Sequence, residues 1–349
     1  MVVTNAPKTM TAIAIATPGG PEVLVLAELP VPMPLAGEVL IRVAAAGINY
    51  PDLLQRRGLY DPPPGASPLP GLEVSGEIAA LGAGVASHQL GDAVVALCNG
   101  GGYAEYVSVP AGQVLPAPPG WTLTEAAALP ETFFTIEQSL VLRAGVGPGM
   151  SVLIHGAAGG IGGAAIGIAR ALGALPIAVV SDAEKARYVG ALGAAEVIIH
   201  TSEDFVARTL ALTGGKGADR IVTIAGGDML ARNIAAAANG GVIVQLAGLS
   251  GTKAEIDIGA LLRKNLTLIG SVLRPQPTEV KAAIAASLLG DVWPAIGDGR
   301  IVRPRIRALQ FAAAVAAHTA MEKRDSYGKI VLLTPWGETL GHDNFIARI

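Results

Sequence analysis

The stretch SVLIHGAAGGIG (151–162) decides the fold of this 349-residue chain. An apolar run leads into clustered glycines, and a helical window (161–172) follows them. Glycines allow the backbone to turn sharply out of a strand and to approach a pyrophosphate without Cβ atoms in between. A helix that begins here offers unpaired N–H groups and a positive dipole end to phosphates. The stretch therefore predicts a dinucleotide-binding loop, with Ala157 in place of the first glycine of GxGxxG.

Apolar runs and helical windows alternate through the middle of the chain. Near-continuous apolar runs are typical of strands that are covered on both faces, as in a parallel sheet. Helical windows separate the first five runs, which favours a doubly wound α/β fold with right-handed crossovers. The predicted strands are 151–156, 176–181, 196–200, 218–225, 240–247 and 266–273, and the predicted helices are 161–172, 183–192, 203–212 and 228–238.

The chain on either side of this repeat has a different pattern. The first third is rich in Pro and Gly, with short β-branched runs that predict a compact β-rich, barrel-like unit. The elements after Pro275 are expected to return to that unit, because a lone helix and strand could not bury their own apolar faces. We assign 1–133 and 276–349 to one discontinuous domain and 134–275 to a second. The predicted flanking elements are strands 38–48, 74–81, 92–97, 104–109, 301–307 and 328–333, helices 278–289 and 311–322, and a loop around Trp293.

Two segments carry further boundary predictions. Residues 122–142 have helical character, with Thr124 as the expected N-cap and an interruption at Pro130. The residues from Pro335 onward are polar and aperiodic, and we expect them to be loosely held.

Composition excludes several classes of protein. With 51% hydrophobic and 15% charged residues, the chain has enough apolar surface to fold, and disorder is excluded. No stretch reaches the ~18 uninterrupted apolar residues of a membrane-spanning helix, so no membrane association is expected. The net charge of −3 and the dispersed basic residues argue against nucleic acid. The single cysteine, Cys98, excludes an internal disulfide and is expected in the core; with no clear leader sequence, the cytoplasm is the expected location.

The residues that end the second predicted strand should read the adenosine ribose of a dinucleotide, ~20 residues beyond the loop. Asp182 could accept hydrogen bonds from the ribose hydroxyls and repel a 2′-phosphate, which favours NAD. Lys185 could pair with a 2′-phosphate, which favours NADP. Asp182 could also be only the N-cap of the helix that follows. Spacing alone leaves these three interpretations open.

Several stretches together resemble the medium-chain dehydrogenase/reductases, and within them the zinc-independent quinone oxidoreductases. The resemblance runs from about residue 10 to 334 and implies a GroES-like β-rich catalytic domain, built from both chain ends, around an inserted Rossmann domain. It also implies a homodimer, since relatives commonly pair at the sheet edge near 266–273. The motifs that carry it are AAGINYPDLLQRRGLYDPPP (45–64), GLEVSGEIAALGAGV (71–85), GDAVVAL (91–97), GGYAEYVSVP (101–110) and HGAAGGIG (155–162).

The same resemblance allows a test for metal. Zinc-containing members of the superfamily hold a catalytic zinc with Cys and His, and the matching positions here are Asn49 and Leu72. A structural zinc would need four cysteines, and the five histidines show no ligand spacing. We therefore expect no zinc. Without a Lewis acid, the expected reaction is hydride delivery from NAD(P)H to an acceptor that is already electron-poor, a quinone or an enone.

The resemblance also implies site residues. Asn49 and Tyr60 are the expected catalytic residues, as an amide donor and a phenol beside the nicotinamide and the acceptor. Lys185 stands where relatives bind the 2′-phosphate, which favours NADPH, although Ser181 and His200 depart from the family's usual Gly and Tyr and NAD stays open. With the strand ends, the cofactor-binding residues are expected to be Asn49, Thr135, Ala158, Gly159, Gly160, Ile161, Gly162, Ser181, Asp182, Lys185, His200, Ala225, Gly226, Leu246, Gly248, Val272, Leu273 and Arg274.

Two other functions fit the same features. One is an enone or enoyl-thioester reductase on the same scaffold, which a pocket for a long acyl carrier would distinguish. The other is a cofactor-binding protein with little turnover; intact candidates at both the glycine loop and the nicotinamide end argue against it.

Overall fold

A computed structural model describes residues 6–323 and 327–340. A π-helical segment, Glu137–Arg143, directly follows the third helix. The strands are β1 Thr9–Ile15, β2 Leu24–Pro30, β3 Glu38–Gly47, β4 Glu73–Leu81, β5 Ala93–Leu97, β6 Tyr106–Pro110, β7 Val114–Pro116, β8 Ser151–His155, β9 Leu175–Val180, β10 Glu196–Ile199, β11 Ala218–Thr223, β12 Ala237–Gln245, β13 Thr267–Gly270, β14 Ile306–Gln310 and β15 Lys329–Leu333. The helices are α1 Tyr50–Arg56, α2 Leu123–Ala126, α3 Pro130–Ile136, α4 Gly160–Ala171, α5 Ala183–Leu192, α6 Phe205–Leu212, α7 Met229–Ala236, α8 Ile258–Arg263, α9 Thr278–Asp291, α10 Trp293–Gly297, α11 Ala314–Lys323 and α12 Pro335–Thr339.

The chain divides into two compact units. The first unit is Met1–Glu131, Arg274–Ala286 and Pro304–Ile349, and the second is Thr132–Leu273 with Ser287–Arg303. The last of these segments differs from our expectation that 276–349 lies wholly in the first domain. It packs on the second unit instead: a Cβ on Gly167 would come within 3.1 Å of Ile301, and Arg300 donates to the carbonyl of Ala171.

The first unit is built around a seven-stranded mixed sheet. Its strand order is β14-β15-β3-β4-β5-β7, with β6 paired to β3. β15, from the end of the chain, pairs antiparallel with β3, from its beginning. Alternate apolar residues of these strands fill a common core, which also holds the buried Cys98. Of the elements after Pro275, β14, α11, β15 and α12 return to the first unit as expected, but α10 belongs to the second unit. The expectation that Cys98 is a core residue is confirmed.

The second unit contains a six-stranded parallel sheet in the order β10-β9-β8-β11-β12-β13. This is the doubly wound order, in which the strand sequence reverses direction between β8 and β11. The central strands are buried on both faces, as their apolar runs predict. The fold class is therefore confirmed, and the carboxyl ends of β8 and β11 form the edge where such folds bind ligands.

Two local predictions, the N-cap of α2 and the loop around Trp293, are wrong. Thr122, not Thr124, caps α2: its Oγ1 accepts from the N–H of Glu125 at 3.2 Å, and Glu125 Oε2 accepts from the N–H of Thr122 at 2.8 Å. This reciprocal pair is a capping box, and the threonine two residues later lies inside the helix. Residues 293–297 form α10 rather than a loop, because Pro294 at its start is compatible with a first helical turn.

The C-terminal segment also differs from expectation. Pro335–Thr339 forms α12, capped by Thr334 Oγ1, which accepts from the N–H of Gly337 at 3.1 Å. The predicted strand at 301–307 begins only at Ile306. Residues 341–349 lie outside the described residues. In the described ranges, 6–323 and 327–340, every helix is too short or too polar to cross a bilayer.

Candidate active site

The glycine loop connects β8 to α4 in the second unit. Gly156 has φ +65°, the left-handed region that favours glycine, and its carbonyl accepts from the N–H of Gly159 at 3.0 Å. A Cβ on Gly159 would meet nothing closer than 3.5 Å, so this position leaves open space beside the backbone. A Cβ on Gly162 would lie 2.3 Å from Ala157 Cα, so this glycine allows the helix to pack on the loop. The residues fit a pyrophosphate held by the backbone at a helix N-terminus.

A cluster of polar side chains follows β9. Asp182 is the N-cap of α5, and its Oδ1 accepts from the N–H of Lys185 at 2.9 Å. This bond and the hydroxyl of Ser181 lower the pKa of Asp182 to about 2. Lys185 Nζ donates to Ser181 Oγ at 2.9 Å and lies 3.3 Å from Asp182 Oδ2. The N-cap interpretation of Asp182 is thus confirmed, and the ammonium group of Lys185 lies beside the side chains of Ser181 and Asp182.

The other expected cofactor residues of the second unit follow the remaining strands. They come directly after β10, β11, β12 and β13, so they share one edge of the parallel sheet with the glycine loop. Thr135 lies in α3, half-buried, and its carbonyl accepts from Ser139 Oγ at 2.6 Å. The residues at this edge are His200, Ala225, Gly226, Leu246, Gly248, Val272 and Leu273, with Ala158, Gly160 and Ile161 in or next to the loop itself.

Asn49 lies buried in the first unit, between β3 and α1. Its amide Nδ2 donates to Glu73 Oε1 at 2.8 Å, and its Oδ1 accepts from Lys329 Nζ at 2.7 Å. Its backbone N–H donates to Asp52 Oδ2 at 2.8 Å. Because both polar ends of the amide are held, its orientation is fixed. The second Nδ2 proton takes part in none of the hydrogen bonds of the described residues, so it can serve a ligand.

Glu73 and Lys329 form a buried ion pair beside Asn49. Lys329 Nζ lies 2.5 Å from Glu73 Oε1, and both side chains are almost completely buried. The resemblance implies that Asn49 and Leu72 stand where zinc ligands would be, and this chain presents an amide and a hydrocarbon side chain there, with the Lys329 ammonium group beside the amide. A positive ammonium repels a second cation, and protein zinc sites are built mainly from Cys and His side chains, neither of which stands at these two positions. The donor set therefore does not fit zinc; no group of three or more potential ligands occurs in the described ranges.

Tyr60 lies in the loop that follows α1, half-buried. Burial, and then the charge of Glu131, raises the pKa of Tyr60 to about 12. The guanidinium of Arg274 lies 5.3 Å from the centre of the Tyr60 ring, within the range of a cation–π contact. Arg274 donates from Nε and Nη2 to the carbonyl of Asn99, at 3.1 and 2.8 Å. Arg274, which we expected among the cofactor residues, thus organises the surroundings of Tyr60 in the first unit.

A further set of buried groups extends away from Asn49. Asp52 accepts hydrogen bonds from the N–H of Asn49, the N–H of Gly71 and the hydroxyl of Tyr103, and burial raises its pKa to about 6. Tyr103 contacts His318 at 3.1 Å. His318 is buried, and burial lowers its pKa to about 3, so the imidazole is neutral. The set fixes the start of α1, and with it the position of Asn49.

Sequence reasoning missed the buried charged residues of the first unit. Glu131 is buried at the start of α3, and Lys281 is buried in α9, where its Nζ donates to Asn99 Oδ1 at 2.6 Å and to the carbonyl of Arg274 at 2.7 Å. The available signal was a charged residue inside an apolar window: Glu131 in ALPETFF and Lys329 in GKIVLL. Charged residues in such runs are almost never fully buried unless they have a partner or a function.

Comparison with known proteins shows the family to which the chain belongs. The alcohol dehydrogenase GroES-like domain family matches residues 35–119, and the zinc-binding dehydrogenase family matches residues 160–288. The quinone oxidoreductase of Homo sapiens is 33% identical over 298 residues, which cover 83% of this chain and 90% of that protein.

Solved structures of similar proteins have the same fold over most of the chain. A quinone oxidoreductase of Pseudomonas syringae pv. Tomato DC3000 superposes with a TM-score of 0.81 at 29% identity, over 93% of this chain and 99% of that one. Mycobacterial Rv1454c, complexed with NADPH, has a TM-score of 0.80 at 30% identity, over 93% and 100% of the two chains. The CurK enoyl reductase has a TM-score of 0.81 at 26% identity, over 94% and 100%.

Proposed function

The chain belongs to the quinone oxidoreductase branch of the medium-chain dehydrogenase/reductase superfamily, and we propose that it transfers a hydride from NADPH to a quinone or a similar electron-poor acceptor without a metal ion. The observation that carries this proposal is the contact of Lys329 Nζ with both Asn49 Oδ1 and Glu73 Oε1. An ammonium group in this place supports a reaction in which no metal polarises the substrate.

Asn49 and Tyr60 are the proposed catalytic residues. A reduced nicotinamide, when bound, supplies the hydride, and the acceptor develops negative charge on oxygen. Asn49 retains one amide proton for that oxygen, and its amide is already oriented by Glu73 and Lys329. A preorganised donor of this kind stabilises developing charge without reorganisation. Tyr60 presents a protonated phenol at neutral pH, and its raised pKa of about 12 keeps the phenol protonated in alkaline solution as well.

For the cofactor we propose NADPH. The glycine loop accommodates the pyrophosphate, and Lys185 provides a cation for the adenosine 2′-phosphate. Asp182 opposes this only in part, because its carboxylate already accepts from the N–H of Lys185 at the start of α5. NADH stays as the alternative cofactor. NADPH is preferred if the Lys185 ammonium group dominates the contact with the adenosine ribose, and NADH is preferred if the Asp182 carboxylate does.

The proposed partner is a small-molecule acceptor, and the proposed assembly is a homodimer in the cytoplasm. β13 is the edge strand of the parallel sheet of the second unit and exposes Leu268 there, with Val272 exposed just beyond it. An apolar edge strand is normally covered, and a second copy would cover it. An enone or enoyl-thioester reductase is the second candidate function, which the likeness to the CurK enoyl reductase favours.

A spectrophotometric panel tests these proposals together. NADPH and NADH are each combined with quinones, with short enones and with enoyl thioesters, and oxidation of the nicotinamide is followed. We expect the fastest oxidation with NADPH and a quinone. Faster turnover of an enoyl thioester would support the second candidate. Tight cofactor binding without turnover of any acceptor would instead support a cofactor-binding protein and contradict an enzyme.

A further inference from the structure

Glu131 lies next to Glu73, the carboxylate that also holds Asn49, and its carboxyl group interacts electrostatically with Tyr60. Its backbone N–H donates to Glu73 Oε2 at 2.9 Å, while Oε1 of the same carboxylate accepts from the Asn49 amide at 2.8 Å. One buried carboxylate thus ties Glu131 and Asn49 to a common position. The Glu131 side chain is only 9% exposed, so it is not a solvated surface charge.

The proton of this carboxyl group is not committed elsewhere. The carboxyl oxygens of Glu131 take part in none of the hydrogen bonds of the described residues. Its neighbours are occupied: Asp52 accepts from three donors, and Lys281 donates to Asn99 and to the carbonyl of Arg274. Glu131 is therefore the buried acid of this cluster that can exchange a proton with a ligand.

Its surroundings keep Glu131 protonated at neutral pH. Burial first, and then the negative charges of Glu73 and Asp52, raise its pKa to about 8, although Lys329 and Lys281 oppose the shift. A carboxyl group with a pKa near the working pH can both give and recover a proton. Tyr60 is a weaker acid, since its pKa is raised to about 12. The charged or titratable groups that interact with Glu131 are Asp52, Tyr60, Glu73, Cys98, Arg274, Lys281 and Lys329.

We propose that Glu131 is the proton donor of the reaction, protonating the acceptor oxygen while Asn49 and Tyr60 orient the acceptor; this inference rests on the proposed function. A quinone that receives a hydride gains one hydrogen and two electrons and is left with a negative charge on oxygen. The O–H bond of Glu131 breaks as an O–H bond forms on that oxygen, which yields the hydroquinone. The Glu131 carboxylate then takes a proton from water, and the enzyme returns to its starting state.

The first test needs no turnover. Infrared difference spectra of the protein without cofactor are recorded between about pH 6 and about pH 10, the range that brackets the Glu131 pKa. A protonated-carboxyl band should disappear as the pH rises through about 8, and this band should be missing in Glu131→Gln. Glu137→Gln is the matched control. Glu137 is also buried, with a pKa raised to about 7, but its hydrogen-bond partner is the hydroxyl of Ser287 and not a residue of this cluster. Loss of the band only in the control would overturn the assignment.

Stability provides a check that the variant folds. Because the folded-state pKa of Glu131 lies above the ordinary 4.5, unfolding releases its proton between about pH 4.5 and about pH 8, and wild-type stability falls across that window. Gln resembles the protonated side chain in shape and charge. Glu131→Gln should therefore fold, and its stability should fall less steeply with pH than that of the wild type. An unchanged slope would contradict the burial of an ionisable group here.

The second test is kinetic. With NADPH and a quinone, Glu131→Gln should lose about 100-fold in kcat with little change in KM, the lower range for a general acid. The wild-type rate should decline above about pH 8, and this decline should be absent in Glu131→Gln and return in Glu131→Asp. Glu137→Gln should keep the wild-type rate.

The outcomes separate the two proposals. If the wild type reduces quinones and Glu131→Gln does so equally fast, the proton-donor role is wrong and the proposed function stands. If the wild type reduces no acceptor in the panel, the proposed function is wrong, and the proton-donor role falls with it, whatever protonation state the infrared spectra give.

Discussion

The glycine loop and the buried charged cluster are the two candidate functional regions, and they are built in opposite ways. In the loop (156–162) the backbone is the proposed contact for the cofactor, and the residues that form it are consecutive in the chain. In the cluster, side chains form the proposed contacts with the acceptor or position the groups that make them. These side chains come from separate segments of the chain: Asn49 and Asp52, Tyr60, Glu73, Glu131, Arg274 with Lys281, and Lys329.

This difference determines how each region tolerates change. A loop made of backbone fails when a Cβ is added, because the new atom occupies the space of the ligand or of the packed helix. A cluster made of buried charges fails when one partner is removed, because the other charge is left without compensation. Substitutions in the two regions should therefore separate ligand binding from folding stability.

The largest expected effect is on stability in the cluster. Lys329→Met leaves Glu73 buried without its cation, so the free energy of unfolding should fall by about 3–5 kcal/mol. Denaturant unfolding measures this. The double variant with Glu73→Gln should recover much of the loss, because the uncompensated charge is gone. Arg263→Ala, which breaks the exposed pair with Asp257, is the control and should change stability by less than about 1 kcal/mol. An equally small loss in Lys329→Met would mean that the ion pair is not holding the cluster.

In the glycine loop, the expected effect of a substitution is on cofactor affinity rather than on folding stability. Gly159→Val adds a branched side chain where the structure leaves open space, so the fold should persist while cofactor affinity falls by about 100-fold, since the pyrophosphate loses its approach to the backbone. Fluorescence titration with NADPH measures the affinity, and circular dichroism confirms the fold. Gly162→Ala is the informative comparison, because its Cβ would overlap Ala157 and should reduce stability as well. Wild-type affinity in Gly159→Val would show that the loop only packs helix on sheet.

A smaller effect is expected at the ribose end. Lys185→Ala should weaken NADPH by about 10-fold to 100-fold and leave NADH nearly unchanged, because a charge-assisted contact to the 2′-phosphate is lost. Asp182→Ser should strengthen NADPH, since Ser can still cap α5 without a negative charge. Lys216→Ala, on an exposed turn before β11, is the control. A tenfold preference of the wild type for NADH would contradict this prediction and would mean that Asp182 accepts hydrogen bonds from the ribose hydroxyls.

The fold could be predicted because its signals are local. The apolar run 151–156 and the glycines after it lie within one window, and the observed strand Ser151–His155 agrees with it closely. Boundaries failed where neighbouring residues compete for one role. Thr122 and Thr124 are both acceptable N-caps, and Glu125 decides between them by bonding back to Thr122.

The candidate site could be predicted only in part, for the same reason. Asn49 and Tyr60 entered through a family resemblance, but their partners did not, because Lys329 is 280 residues from Asn49 in the chain. Sequence patterns report which residues are apolar along one element, and they carry no information on which distant side chains meet. The burial of Glu131 and Lys281 depends on such meetings.

Metal-free reduction of the acceptor, as proposed for this protein, is tested by turnover of NADPH with a quinone after exhaustive dialysis against a chelator, together with elemental analysis of the same sample. We expect undiminished turnover and no stoichiometric zinc, because the ammonium group of Lys329 lies beside Asn49 and Glu73. One zinc per chain, with activity lost on its removal and restored by its return, would contradict it.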